Sequence, residues 1–133
     1  MLEKRIEPVK GRTAEIIEWI MSSPDVPDEG SVEFAVRLSV EEVAENIVQY
    51  AYDDGQGYVV ISTERIGDRL VITMKDGGVA FNPLEKEDPD INLSAEERQI
   101  GGLGIFLCKQ MMDNVEYEYA DGCNILRMEK TIK

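Results

Sequence analysis

Twice in this chain a two-residue turn separates a pair of β-branched, strand-like runs. Tyr58 to Ile66 and Arg69 to Lys75 flank Gly67-Asp68, and Val115 to Tyr119 and Cys123 to Lys130 flank Asp121-Gly122. Each unit predicts a hairpin of two antiparallel strands. Helical patterns supply the cover such strands need. From Thr13 to Met21 the apolar residues Ile16, Ile17, Trp19 and Ile20 recur at helical spacing, with Trp19 read as a core residue, and Ser22-Ser23-Pro24 stops the run. A longer pattern extends from about Ser31 to Tyr52, with Val36, Val40, Val43 and Ile47 on one stripe and Glu42, Glu45, Asn46 and Gln49 opposite. Asp53-Asp54-Gly55-Gln56-Gly57 ends it. Residues 3 to 9 alternate at Arg5, Ile6 and Glu7 before Pro8, which reads as a short edge strand, where proline is tolerated. The expected fold is α+β, a two-layer sandwich of a mixed or antiparallel sheet with helices on one face.

At 133 residues the chain is long enough for one domain, spanning 1–133, and too short for two ordinary ones. A hydrophobic content of 43% with 31% charged residues is that of a globular protein. No apolar run approaches the ~20 residues that cross a bilayer. Met1-Leu2-Glu3-Lys4-Arg5 lacks the apolar core of a signal peptide, so a cytoplasmic location is expected. Fourteen basic against 27 acidic residues give a net charge of −13, which repels a nucleic-acid backbone or an anionic membrane. A protein partner, or a small ligand neutralised by a metal, suits such a surface better. Cys108 and Cys123 show no metal-type spacing and read as reduced structural thiols. With no histidine in the chain, Ser-His-Asp triads, histidine zinc sites and histidine autophosphorylation are all excluded. Chemistry must come from carboxylates, amides and backbone.

One stretch is poised for an anion. Gly101, Gly102 and Gly104 lead straight into the apolar helical run Ile105 to Met112, the pattern of a flexible loop closing onto a helix N-terminus. The unpaired N–H groups and the positive dipole end there favour a phosphate. Just upstream, Asn82 to Arg98 is polar, acidic and broken by Pro83 and Pro89, a long connection of the kind that serves as a lid over a ligand, here at 82–101.

Three separated features thus stand in order: Glu42-x-x-x-Asn46 on the long helix, Asp76-Gly77-Gly78-Val79-Ala80-Phe81 after a hairpin, and Gly101-Gly102-Leu103-Gly104 opening the next helix. Together they resemble the GHKL ATPase superfamily, in its small branch of anti-sigma-factor serine/threonine kinases, over nearly the whole chain. The resemblance implies the Bergerat ATP-binding fold, with ATP and Mg²⁺ as cofactors. It makes Asp76 the acceptor of the adenine amino group, with Gly78 letting the base lie against the backbone. It makes Asn46 the Mg²⁺ ligand through its neutral amide oxygen, and Glu42 the general base for an attacking hydroxyl. Backbone around Gly101, Gly102, Leu103, Gly104 and Ile105 would meet the phosphates. Where relatives often carry a histidine and then a glycine after the metal-binding asparagine, this chain has Tyr50 and Ala51, and Arg98 is read as a surface arginine rather than as a replacement charge. The implied function is phosphorylation of a small antagonist protein in a partner-switching pathway, with a sigma factor or other effector as second partner and a homodimer as the assembly. A regulatory module that holds ATP and acts by docking alone is the alternative.

Overall fold

The computed structural model describes residues 1–52, 56–85 and 102–132, and of residues 85 and 102–105 the backbone alone. The chain runs β1 (Leu2–Ile6), α1 (Thr13–Met21), α2 (Gly30–Asn46), β2 (Val59–Ile66), β3 (Arg69–Asp76), α3 (Gly102–Met111), β4 (Asn114–Ala120) and β5 (Cys123–Thr131). A π-helical turn, Ile47–Ala51, prolongs α2, and Pro83–Glu85 form a 3-10 turn. The strands make one five-stranded sheet in the order β1-β2-β3-β5-β4. Every neighbouring pair is antiparallel, so of the two sheet types left open by the sequence the antiparallel one is realised. No helix among the described residues is long and apolar enough to cross a membrane.

Both hairpins turn where the glycine-aspartate pairs stand. Gly67 takes φ +63°, and Asp121 and Gly122 take 54° and 76°, the double positive φ of a type I′ turn. Because side chains alternate along a strand, Val59 and Ile61, then Leu70, Ile72 and Met74, then Leu126 and Met128 point to one face and are buried. Register sets them opposite one another: Ile61 faces Met74, which faces Leu126. Against this face pack Ile16 and Ile20 of α1, Val36, Val40 and Val43 of α2, and Cys108 of α3. Each such aliphatic side chain contributes about 1.5–3 kcal/mol by leaving water. The opposite face is polar, and there Glu129 is gripped by Arg69 at 3.1 Å and by Asn114 at 2.9 Å. Helices therefore cover one face, as the stripe on α2 requires.

One departure from expectation and one feature of the topology position the site. The long helical pattern narrows to α2 proper at Asn46 and then widens into the π-turn, a feature that often accompanies functional sites. The Ala51 carbonyl at the end of that turn accepts the Val79 N–H at 2.9 Å, so an orphan acceptor of the helix end is satisfied by the loop after β3. The strand order does the rest. After β3 the chain leaves the sheet, returns as the edge strand β4, and folds back so that β5 lies beside β3. Asp76, last in β3, thereby pairs with Asn124, near the start of β5.

Candidate nucleotide site

A cleft of about 440 Å³, counting its solvent-open part, lies between the end of α2 and the ends of β3 and β5. Val43, Ile47, Met74 and Leu126 form apolar wall, and Asn46, Asp76 and Asn124 are its polar groups. Apolar walls with a few convergent polar atoms are the usual make-up of a small-molecule site.

Asp76 is there because it is in phase with Leu70, Ile72 and Met74, which places a carboxylate in the helix-facing layer at 4% exposure. Its Oδ1 accepts the Gly78 N–H at 2.9 Å and the Asn124 amide at 3.0 Å. Among the described residues no hydrogen bond reaches Oδ2. Burial pushes the Asp76 pKa up, and the bonds from Asn124 and Gly78 offset part of that rise. A raised folded-state pKa means that the contribution of Asp76 to stability is fully present in acid, below the ordinary aspartate range, and is lost as pH rises through the raised value. Without nucleotide, Asp76→Asn should therefore melt no lower than wild type at neutral pH. Its advantage should grow from acid to neutral pH in thermal melts, since the amide oxygen can still accept both bonds. A Tm at neutral pH several degrees below wild type would show that the ionised carboxylate stabilises the empty fold.

Gly78 serves packing. A Cβ at this position would lie 2.1 Å from the Ala51 carbonyl oxygen, so only glycine lets the 76–79 turn press on the end of α2. Gly57 has the same relation to Tyr52, whose ring would sit 2.0 Å from an added Cβ. Tyr52 in turn donates its hydroxyl to the Tyr58 carbonyl at 2.8 Å and accepts the Gly77 N–H at 2.7 Å, closing the floor beneath the turn.

Asn46 lines the same cleft half-buried. Among the described residues no hydrogen bond occupies its side chain, so its amide oxygen is available as a hard, neutral ligand. No cluster of three carboxylate or thiol groups suited to a metal occurs among the described residues. A cation at Asn46 would have to complete its shell with phosphate and water, which is the way Mg²⁺ is usually held. Glu42 stands one turn earlier, half-buried on the α3 side of α2. Its pKa is raised by burial and by the neighbouring charges of Glu45 and Glu41. Its charge also helps to raise the Cys108 thiol, which burial pushes up to about 11. Cys108 and Cys123 are free and buried, as structural thiols should be. The glycine motif enters through the backbone: Gly102, Leu103, Gly104 and Ile105 form the first turn of α3, in which the N–H groups of the first three have no intrahelical acceptor. Gly101, Arg98 and the lid beyond residue 85 lie outside the described residues.

The cleft thus unites Asn46 with Asp76, while Glu42 stands outside its lining. Tyr50 stands 53% exposed at the mouth with its ring 6.4 Å from that of Phe81. Sequence reasoning passed over Asn124, Tyr117 and Tyr52. Asn124 carried a signal: it is in phase with Leu126 and Met128, so strand alternation alone puts a polar residue in the core layer.

The chain is similar to two proteins named serine-protein kinase RsbW, from Bacillus mycoides (strain KBAB4) and Bacillus cereus (strain ATCC 10987 / NRS 248). Each is 34% identical over 95 residues, which cover 68% of this chain and 59% of the relative. The matched part is thus 59% of the length of these curated relatives. In three dimensions the chain resembles the catalytic domain of the histidine kinase ThkA in a nucleotide-free form. The TM-score is 0.55 at 11% identity, over 98% of this chain and 97% of the other, a likeness of fold. The profile described as a histidine kinase-like ATPase domain spans residues 9–130, from the loop after β1 into the last strand. The chain belongs to the histidine kinase-like ATPase domain family, the GHKL type.

Proposed function

We propose that this chain binds Mg²⁺·ATP in the cleft and transfers its terminal phosphoryl group to a serine or threonine of a small antagonist protein. The observation that carries the reading is the convergence of Asn46 and Asp76 on one cleft, each with a polar atom to which the described residues give no partner. Oδ2 of Asp76 can accept from a 6-amino group, whereas the oxygen of guanine would set acceptor against acceptor. Asn46 would hold Mg²⁺, which supplies positive charge to neutralise the phosphates. The first turn of α3 directs its free N–H groups to the same phosphates. Glu42 accepts the proton of the attacking hydroxyl as the new P–O bond forms and the bond to the ADP oxygen breaks. The matched serine-protein kinases support this choice of acceptor. The resemblance to anti-sigma-factor kinases further implies a sigma factor or another effector protein as second partner and a homodimer as the assembly, in a cytoplasmic setting.

Calorimetric titration tests the nucleotide part. ATP and ADP with Mg²⁺ should bind at least about tenfold more tightly than GTP and GDP, about 1.4 kcal/mol. Asp76→Asn should weaken the adenine nucleotides. Equal affinity for ATP and GTP would refute the adenine assignment.

A further inference from the structure

Asn124 is 7% exposed and uses its whole side-chain amide. Nδ2 donates to Asp76 Oδ1 at 3.0 Å and to the Val79 carbonyl at 2.8 Å. Oδ1 accepts the Phe81 N–H at 3.0 Å and the Tyr117 hydroxyl. Two donors and one double acceptor are the full capacity of an asparagine. The orientation is therefore fixed: a flipped amide would set oxygen against both Asp76 Oδ1 and the Val79 carbonyl, and NH₂ against the Phe81 N–H. We infer that Asn124 is a positioning residue for nucleotide selectivity, because its amide locks Asp76 with Oδ1 occupied and Oδ2 facing the cleft as a pure acceptor. Gly78, the other donor to Oδ1, is two residues away and moves with Asp76. Asn124 reaches in from another strand, 48 residues on in sequence, and is the external reference that sets the carboxylate's rotation. A carboxylate held this way favours a 6-aminopurine over a 6-oxopurine. One released can turn away from a 6-oxo group and toward the N1–H beside it, which narrows the discrimination.

The inference rests on the adenine reading of Asp76, and its test keeps the two apart. Threonine and valine have the same shape and both suit a strand, but only threonine carries a hydroxyl that can donate to Asp76. Affinities for Mg²⁺·ADP and Mg²⁺·GDP would be measured by calorimetry for wild type, Asn124→Thr and Asn124→Val. The ADP-over-GDP ratio should stay within about twofold of wild type in the threonine variant and fall at least about fivefold in the valine variant. A purely structural role would weaken both nucleotides together and leave the ratio unchanged, which would overturn the inference, as would equal loss of the ratio in both variants. Should the valine variant fail to fold, Asn124→Ala opens room for water to reach the orphaned groups. There too a fallen ratio supports the inference and an unchanged one overturns it. In an Asp76→Asn background the Asn124 substitutions should no longer alter the ratio, since they act through that carboxylate. If wild type does not prefer ADP, the adenine reading has failed; if wild type prefers ADP but Asn124→Val does so equally, the role of Asn124 alone has failed.

Discussion

Glu42→Gln is expected to bind Mg²⁺·ATP within about threefold of wild type while phosphotransfer to the antagonist protein falls about a hundredfold or more. Glutamine keeps the length and hydrogen-bonding reach of glutamate but cannot take a proton. Glu42 is half-buried one turn before Asn46, near Cys108 of α3, and no hydrogen bond engages it among the described residues. Burial and the charges of Glu45 and Glu41 raise its pKa, which makes it a stronger base than a solvated glutamate. Wild-type activity should then decline as pH falls through that raised value, at a higher pH than an ordinary glutamate would impose. Asn46→Ala should behave differently and weaken Mg²⁺-dependent nucleotide binding as well as transfer, since it removes a ligand rather than a base. The assay follows radiolabelled γ-phosphate onto the antagonist. Undiminished transfer by Glu42→Gln rules Glu42 out as the base, and wild-type binding without transfer to any antagonist leaves a module that acts by docking.

The second large effect falls on stability. Gly78→Ala should cost about 2–4 kcal/mol, combining overpacking against backbone with loss of a hydrogen bond. The added Cβ would lie 2.1 Å from the Ala51 oxygen and 2.6 Å from its carbonyl carbon. Neither atom can swing away as a side chain would, so the turn must lift and the Val79 to Ala51 bond must break. For a domain of this size the melting temperature should drop by about 10 °C. Gly122→Ala is the control: its φ of +76° carries strain, yet an added Cβ there meets nothing within 4 Å. It should cost only about 1 kcal/mol. Equal melting of the two variants would show that the contact at Gly78 is readily relieved.

Much of this architecture was legible because it rests on local rules. The strand runs and glycine turns gave the hairpins, and the spacing of Val36, Val40, Val43 and Ile47 gave the buried face of α2. Asp76 and Asn46 were legible as candidates because motif order carries the placement of a cleft. The π-turn was not, since Ile47 to Ala51 read equally well as ordinary helix, and its widening is tied to a bond with Val79, a tertiary partner. The packing of Gly78 against the end of α2 was not legible for a similar reason: its neighbour, Ala51, lies in a different element. Alternation marks Asn124 as a polar residue of the core layer, but its partner Asp76 emerges only through the β3–β5 register, which no window of residues encodes.

That register also bears on when the protein becomes competent during synthesis. Asp76 and the helix end it packs beside are made first, and the strand that orients its carboxylate follows 48 residues later. Until β5 docks, β3 exposes an unpaired edge and its buried acid lacks a donor, so a nascent chain can hold hydrophobic shape without a finished binding site. Nucleotide is then a ligand of the completed sheet only. Its binding free energy falls on a non-local step of folding, where it draws the equilibrium toward the closed sheet and shields the open edge from neighbouring chains.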